Sequence, residues 1–370
     1  MSKASYIMVG GFLGAGKTTA ILKLAQHLVR RGQRVGLITN DQSFGLVDTA
    51  LLSSHHLPVE EITGGCFCCR FNSLMEAAGR LTQAAAPDVF IAEPVGSCTD
   101  LRAAVSYPLR RLYGDRFQIA PLSALVDPIR ALRVLGVEPG KAFSPKVHYI
   151  YRKQLEEADV ILINKCDLLT PERLRKLEDA LRTAFPKAAV LTVSAREGTG
   201  LESWFARIAG ADTWDSPAPD VDYEIYAEGE ALLGWFNATI RLAGTALFDG
   251  NNFLRELAQE IHQALAAEAI EIAHLKMTLM PAEEGGDIGV LNLVSTDRKA
   301  ELSHSLREPL EGGELIINLR AEGDPGTLGE VVQRALGSLA GSGVGLNVTV
   351  QHTECFRPAK PSPTYRMAVA

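Results

Sequence analysis

The chain has 370 residues, 46% of them hydrophobic, enough for ordinary cores and suggestive of two domains. A formal charge of −7 argues against a nucleic-acid footprint, and no stretch approaches the length of a membrane span. The six cysteines, three of them crowded into Cys66–Cys69, do not make a disulfide framework, so a reducing, cytoplasmic setting is expected.

At the N-terminus Tyr6-Ile7-Met8-Val9 reads as a strand. Its apolar run passes straight into a glycine-rich loop, which assigns it to the fold rather than to a secretion signal. Residues 11–18, Gly-Phe-Leu-Gly-Ala-Gly-Lys-Thr, spell G-x-x-x-x-G-K-[ST], the loop that cradles nucleotide phosphates. Gly11, Gly14 and Gly16, with Ala15 between the last two, let the backbone curl so that successive N–H groups face one anion. Lys17 adds a mobile positive charge and Thr18 a hydroxyl for Mg²⁺. From Thr19 to Arg31 the pattern is an amphipathic helix stopped at Gly32, whose positive end faces the phosphates.

Further strand-like runs lie at 34–39, 88–92, 118–126, 159–163 and 189–193, with helical patterns between them such as 171–185. This alternation predicts an α/β domain over residues 1–210, a mostly parallel sheet with helices on both faces. The run ending in Asn164-Lys165-Cys166-Asp167 bears on the base. A carboxylate at Asp167 accepts from N1–H and N2–H₂ of guanine, whereas adenine would leave it unpaired, so GTP is favoured over ATP. Ser194 and Ala195, at the end of the next strand, could offer backbone N–H groups to the guanine O6. The alternative is an ordinary strand-end turn, where Asn and Asp are common.

Gly64-Gly65-Cys66-Phe67-Cys68-Cys69-Arg70 falls between the phosphate loop and the strand ending at Glu93. Thiolates are soft donors suited to a transition-metal ion. In an extended segment Cys66 and Cys68 face one way, and Cys69 joins them if the backbone turns into a helix near Arg70. Three protein ligands leave a coordination position open for exchange, whereas closed structural sites take four. The other reading is buried, inert cysteines.

Residues 211–222 read as an acidic, proline-bearing linker. Beyond it, strands at 233–242, 271–280, 288–295, 314–320 and 345–354 and helices at 253–265 and 326–340 predict a smaller α+β domain over 223–356. It should be a ferredoxin-like sandwich with helices on one face of an antiparallel sheet. The basic tail, 357–370, is expected to be solvated.

Taken together, the phosphate loop, Gly65-Cys66-Phe67-Cys68-Cys69, Glu93-Pro94-Val95-Gly96 and Asn164-Lys165-Cys166-Asp167 resemble the CobW-like P-loop GTPases, relatives of the HypB and UreG metallocentre assembly proteins. The resemblance implies GTP hydrolysis that gates delivery of a transition metal, Zn²⁺ or Co²⁺ foremost, from Cys66, Cys68 and Cys69 to a client metalloprotein or cofactor enzyme. By resemblance Glu93 acts on Mg²⁺ through water or on the attacking water, and Asp48 serves as the switch aspartate near Mg²⁺. Lys17 and Thr18 complete the catalytic set, while Asn164, Lys165 and Asp167 hold the base. Two motifs depart from the family. Asn40-Asp41-Gln42-Ser43-Phe44-Gly45 stands where Asn-Glu-Phe-Gly is usual, and Glu93-Pro94-Val95-Gly96 where Glu-Thr-Thr-Gly is usual. Two other functions fit the same motifs: a GTPase that loads or reactivates a corrinoid or other cofactor enzyme, and a regulatory GTP switch without metal cargo.

Overall fold

The computed structural model describes residues 3–40, 52, 55, 57–210, 217–282, 287–341 and 345–367. Two compact units divide them: one spans the chain to Gly229 and takes up Lys360 onward, the other runs from Glu230 to Ala359 and includes Leu52.

The first unit is built on β1 (Ala4–Gly11), β2 (Val35–Asn40), β3 (Val59–Ile62), β4 (Val89–Glu93), β5 (Phe117–Ile119), β6 (Ser123–Val126), β7 (Val160–Ile163) and β8 (Ala189–Thr192). All pairings are parallel, in the order β3-β2-β4-β1-β6-β7-β8, with β5 added alongside β1. Every residue of β2, β4, β6 and β7 is buried, as helices on both faces require. Sequential connections leave β1 toward β2 on one side and pass to β6 on the other. The strand order thus reverses at β1, and the carboxyl end of such a strand is where open α/β sheets bind ligands.

Two elements differ from the sequence reading. The single run at 118–126 is two short strands, β5 pairing Ala4–Tyr6 and β6 pairing Val9–Gly11. Pro121 lies between them and has no N–H to continue the ladder. The four-residue β3, Val-Glu-Glu-Ile, lacks an apolar run and gives no periodic signal.

The second unit contains β9 (Leu233–Phe248), β10 (Glu271–Pro281), β11 (Gly289–Leu293), β12 (Glu301–His304), β13 (Leu310–Glu322) and β14 (Leu346–Phe356) in one antiparallel sheet ordered β12-β11-β10-β13-β9-β14. Setting aside β11 and β12, the chain runs β-α-β-β-α-β with spatial order 4-1-3-2, which is the ferredoxin-like arrangement. Alternate residues of the sheet (Phe236, Ala238 and Ile240 on β9; Leu275, Met277 and Leu279 on β10; Leu315, Ile317 and Leu319 on β13) share one core with Leu254, Leu257, Ile261, Val331, Val332 and Ala335 of helices 250–267 and 325–341. Period two meeting period 3.6 at one buried layer places both helices on the same face. Asp249 caps the first helix, accepting from the Asn251 and Asn252 N–H groups at 2.9 and 3.0 Å. Among the described residues, no helix is long and apolar enough to cross a membrane.

Candidate functional site

The phosphate loop forms where β1 ends. Gly11, Gly14 and Gly16 have φ of 124°, 75° and 88°, values that side-chain-bearing residues rarely adopt. Space enforces the same choice: a Cβ at Gly11 would lie 2.3 Å from the Leu125 carbonyl oxygen, and one at Gly16 would lie 2.5 Å from Asn164 Nδ2. Helix 17–30 follows with Gly16 at its N-cap, no side-chain cap and no acidic residue in its first turn. Its leading N–H groups are therefore oriented for an anion. Lys17 and Thr18 sit at this end, 8% and 5% exposed. The Thr18 hydroxyl donates to Glu93 Oε1 at 3.1 Å, which brings the last residue of β4 to the hydroxyl that a phosphate-bound Mg²⁺ would take. Asp48 lies outside the described residues.

Asn164, buried after β7, links the phosphate loop to the base side. Its Nδ2 donates to the Ala15 carbonyl at 2.8 Å, and its Oδ1 accepts from the Ala195 N–H at 3.0 Å. The Ala195 N–H is thus engaged by Asn164 in this state rather than presented to a ligand. Lys165 adopts φ of 54° and lays its ammonium between the Gly14 carbonyl at 2.8 Å and Asp127 Oδ2 at 2.9 Å. Asp127 caps helix 128–134, as its position before Pro128 suggests, by accepting from the Arg130 N–H at 3.2 Å. Asp167 stands exposed in the single turn Cys166–Leu168, with Ser194 and Ala195 buried at the neighbouring strand end.

Arg130 was not singled out from the sequence. It is 8% exposed, donates to the Leu13 carbonyl at 2.6 Å, and spreads its guanidinium over Phe12 and Phe143 at 5.3 and 5.2 Å. It buttresses the phosphate loop from behind. The contact spans 117 residues of sequence, and no local pattern announces it.

The cysteines gather in a turn that leads into the helix expected near Arg70. Gly64 and Gly65, with φ of 74° and 148°, turn the chain tightly beneath Arg70. The N–H groups of Cys69 and Arg70 both donate to the Cys66 carbonyl, at 3.0 and 2.9 Å, and helix 71–85 follows. This turn brings all three sulfurs together: Cys66 to Cys68 at 2.8 Å, Cys66 to Cys69 at 3.2 Å, and Cys68 to Cys69 at 3.7 Å. Asn40, at the end of β2, fastens the turn by donating to the Ile62 and Gly65 carbonyls at 3.0 and 2.8 Å. Cys66 and Cys68 are buried and Cys69 half-buried. Hydrogen bonding with Cys66 and then Cys69, reinforced by burial, raises the Cys68 thiol well above its ordinary range. The bond with Cys66 pushes Cys69 up to about 11. An ion binding to Cys68 and Cys69 must displace the protons these thiols hold.

The tail is packed against this cluster. Ser362 N–H donates to Cys69 Sγ at 3.2 Å, Thr364 N–H to the Cys68 carbonyl at 2.8 Å, and the Thr364 hydroxyl to the Cys69 carbonyl at 3.0 Å. Tyr365 meets Phe71 edge-to-face with ring centroids 5.2 Å apart, and Arg366 Nε donates to Asp100 at 2.8 Å. The tail thus departs from the solvated terminus its composition suggests. Main-chain donors, one aromatic ring and the Arg366–Asp100 ion pair hold it, partners that a composition count does not reveal.

A family model described as CobW/HypB/UreG, nucleotide-binding domain, matches residues 5–192. The zinc chaperone YeiR of Escherichia coli (strain K12) is 32% identical over 178 residues, 46% of this chain and 49% of YeiR. The probable GTPase Rv1496 of Mycobacterium tuberculosis (strain ATCC 25618 / H37Rv) is 28% identical over 297 residues, 74% of this chain and 82% of that protein. The zinc chaperone CobW of Sinorhizobium sp is 28% identical over 218 residues, 52% of this chain and 58% of CobW. The chain thus spans about half the length of YeiR. A match that runs from the first strand of the parallel sheet to its last settles the family: this chain belongs to the CobW/HypB/UreG group, as a CobW-like P-loop GTPase.

Proposed function

We propose that this protein hydrolyses GTP and uses the nucleotide cycle to control a transition-metal ion, zinc in the first instance, which it holds through Cys66, Cys68 and Cys69 and passes to a client protein. The observation that carries this reading is the convergence of three thiol sulfurs, all within 4.8 Å of one another, in a chain that also has a phosphate loop. A soft three-sulfur set suits Zn²⁺ or Co²⁺ and leaves a coordination position through which an ion can leave. The names of YeiR and CobW as zinc chaperones support the choice of metal.

In this reading the N–H groups of Gly14 to Thr18 and the Lys17 ammonium hold the β- and γ-phosphates. Thr18 and Glu93 would hold Mg²⁺, directly and through water, and that ion would neutralise charge on the phosphate oxygens. Glu93 would also orient the attacking water. Lys165 lines the floor of the base site, and Asp167 accepts from guanine. The reaction asks mainly for positioning and charge stabilisation, so the rigid tie of Asn164 to Ala15 is part of the machinery.

The test of metal binding is its stoichiometry in protein purified anaerobically. One Zn²⁺ or Co²⁺ per chain, dependent on the three cysteines, is expected; a metal-free cluster that takes up neither ion on titration would end the chaperone reading. For the base, Asp167→Asn should weaken GTP by about 100-fold, since one or two hydrogen bonds to a charged acceptor at about 1.5–3 kcal/mol each are lost. The same variant should prefer xanthosine triphosphate, whose O2 accepts from the new amide. Competition binding with GTP, ATP and xanthosine triphosphate checks both, and a wild type that binds ATP as well as GTP would sink the guanine reading.

The tail contacts give a separate expectation. Removing residues 360–370 deletes the N–H donor to Cys69 and the clamp on the Cys68 and Cys69 carbonyls. Outer hydrogen bonds to metal ligands are commonly worth 10–100-fold in affinity. The truncated chain should therefore lose zinc to a chromogenic chelator about 10-fold faster than the full chain. Equal release rates would mean that the tail leaves the thiolates untouched.

A further inference from the structure

A fourth thiol stands at the edge of the triad. Cys98 Sγ lies 3.9 Å from Cys68 Sγ, 30 residues away in sequence, and is 1% exposed. Two sulfurs held at about 2.3 Å on one tetrahedral ion sit about 3.8 Å apart, a separation the Cys68–Cys98 pair matches. The set of sulfurs within 4.8 Å of one another is Cys66, Cys68 and Cys69, with Cys98 just outside it. Burial alone would also suit an inert cysteine. What sets Cys98 apart is its anchorage. Its N–H donates to the Val95 carbonyl at 2.9 Å, and Gln154 Nε2 forks onto the Gly96 and Cys98 carbonyls at 2.9 Å each. These bonds fix the main chain at Cys98, and so the point from which its thiol reaches Cys68.

The loop that carries Cys98 begins at Glu93. Its first residue accepts from Thr18, the hydroxyl that Mg²⁺ would claim. Three positions on, Gly96 packs directly against the phosphate loop: a Cβ there would lie 2.7 Å from Leu13 Cδ2 and 3.2 Å from Leu13 Cα. Two positions further it presents Cys98 to Cys68. Beyond that, Asp100 is wholly buried at φ of 65° and accepts from the Tyr223 hydroxyl at 2.6 Å, which pins the far end. A segment clasped by the nucleotide loop at one point and by the thiol cluster at another is a short route for coupling.

We propose that Cys98 is a fourth thiolate donor for the ion held by Cys66, Cys68 and Cys69, brought into or out of coordination by the Glu93–Cys98 loop as the nucleotide changes. The inference rests on the metal-binding reading and adds a closing ligand to it. With four sulfurs the ion is enclosed; with three it has an open position and exchanges. On binding, the Cys98 thiol gives its proton to solvent and its sulfur to the metal, with no change in oxidation state. The nucleotide then acts on exchange rate through the number of ligands and not only through access to the site.

Two measurements decide it. Wild-type protein loaded with Zn²⁺ would be examined by X-ray absorption with GDP and with a non-hydrolysable GTP analogue, counting sulfur neighbours. Four sulfurs in one nucleotide state and three in the other are expected; three in both overturns the proposal. Cys98→Ser and Cys98→Ala, loaded with Co²⁺, should keep one ion per chain. In the enclosed state they should lose about a quarter of the thiolate-to-cobalt charge-transfer intensity, one donor of four. The difference in release rate between the two nucleotide states should shrink relative to wild type. Spectra and release rates matching wild type in both states would reject Cys98 as a ligand while leaving the three-cysteine site intact. Metal binding that survives serine at Cys66, Cys68 and Cys69 would instead reject the underlying site.

Discussion

Lys17→Ala should weaken GTP by about 100- to 1,000-fold and bring hydrolysis to background. Lys17 is 8% exposed at the head of helix 17–30, so its ammonium would meet the phosphates in a largely desolvated place. Truncating one member of such a charge pair costs about 2–5 kcal/mol, much of it from the partner left unpaired. The phosphates also lose the charge stabilisation that the transferring group needs. The loop itself should persist, because its shape depends on Gly11, Gly14 and Gly16 and on the ties from Asn164 and Lys165, none of which the substitution removes. Titration with a fluorescent GTP analogue, beside circular dichroism of both proteins, is the check. Wild-type affinity in a folded variant would show that the nucleotide sits elsewhere.

What the sequence revealed tracks the range over which each signal acts. The phosphate loop, the Asn-Lys-x-Asp turn and the cysteine turn are contiguous, so residue type and spacing nearly determine their geometry. Long apolar runs gave the parallel strands because burial on both faces demands them. The ferredoxin-like order was legible from the alternation of β9, β10 and β13, whereas β12 (Glu-Leu-Ser-His), with two exposed residues at the sheet edge, lacks an apolar run to announce it. Everything held by distant partners was hidden. Arg130 reaches Leu13 across the fold, Cys98 reaches Cys68 from another loop, and the tail is fixed by main-chain donors together with Arg366 on Asp100. Within the cysteine run the condition for Cys69 to join Cys66 and Cys68, a turn into a helix near Arg70, is met: Gly64 and Gly65 have positive φ just before the turn, and helix 71–85 follows it.

Serine at Cys66, Cys68 and Cys69 together should abolish tight binding of Zn²⁺ and Co²⁺ and leave GTP affinity in the absence of metal close to wild type. The thiolates are the soft donors, and serine hydroxyls cannot replace them near neutral pH. Metal affinity in the wild type should rise with pH, because the Cys68 and Cys69 thiols hold their protons above the ordinary range and each must leave before its sulfur binds. Nucleotide should shift that affinity. Asn40 ties the cysteine turn to the end of β2, and Gly96 and Cys98 tie it to the loop that begins at Glu93. Linkage requires reciprocity: if GTP changes metal affinity by some factor, metal changes GTP affinity by the same factor. A tenfold effect needs about 1.4 kcal/mol of coupling, the scale of one charge-assisted hydrogen bond such as the one Thr18 would exchange between Glu93 and Mg²⁺. Titrations of both metals against wild type and triple variant, each with GDP and with a non-hydrolysable GTP analogue, separate the outcomes. Equal metal affinity in the two proteins would make the cluster structural. Cysteine-dependent binding that ignores the nucleotide would keep a metal site and remove the GTP gate, because a ligand with the same affinity for both states shifts neither.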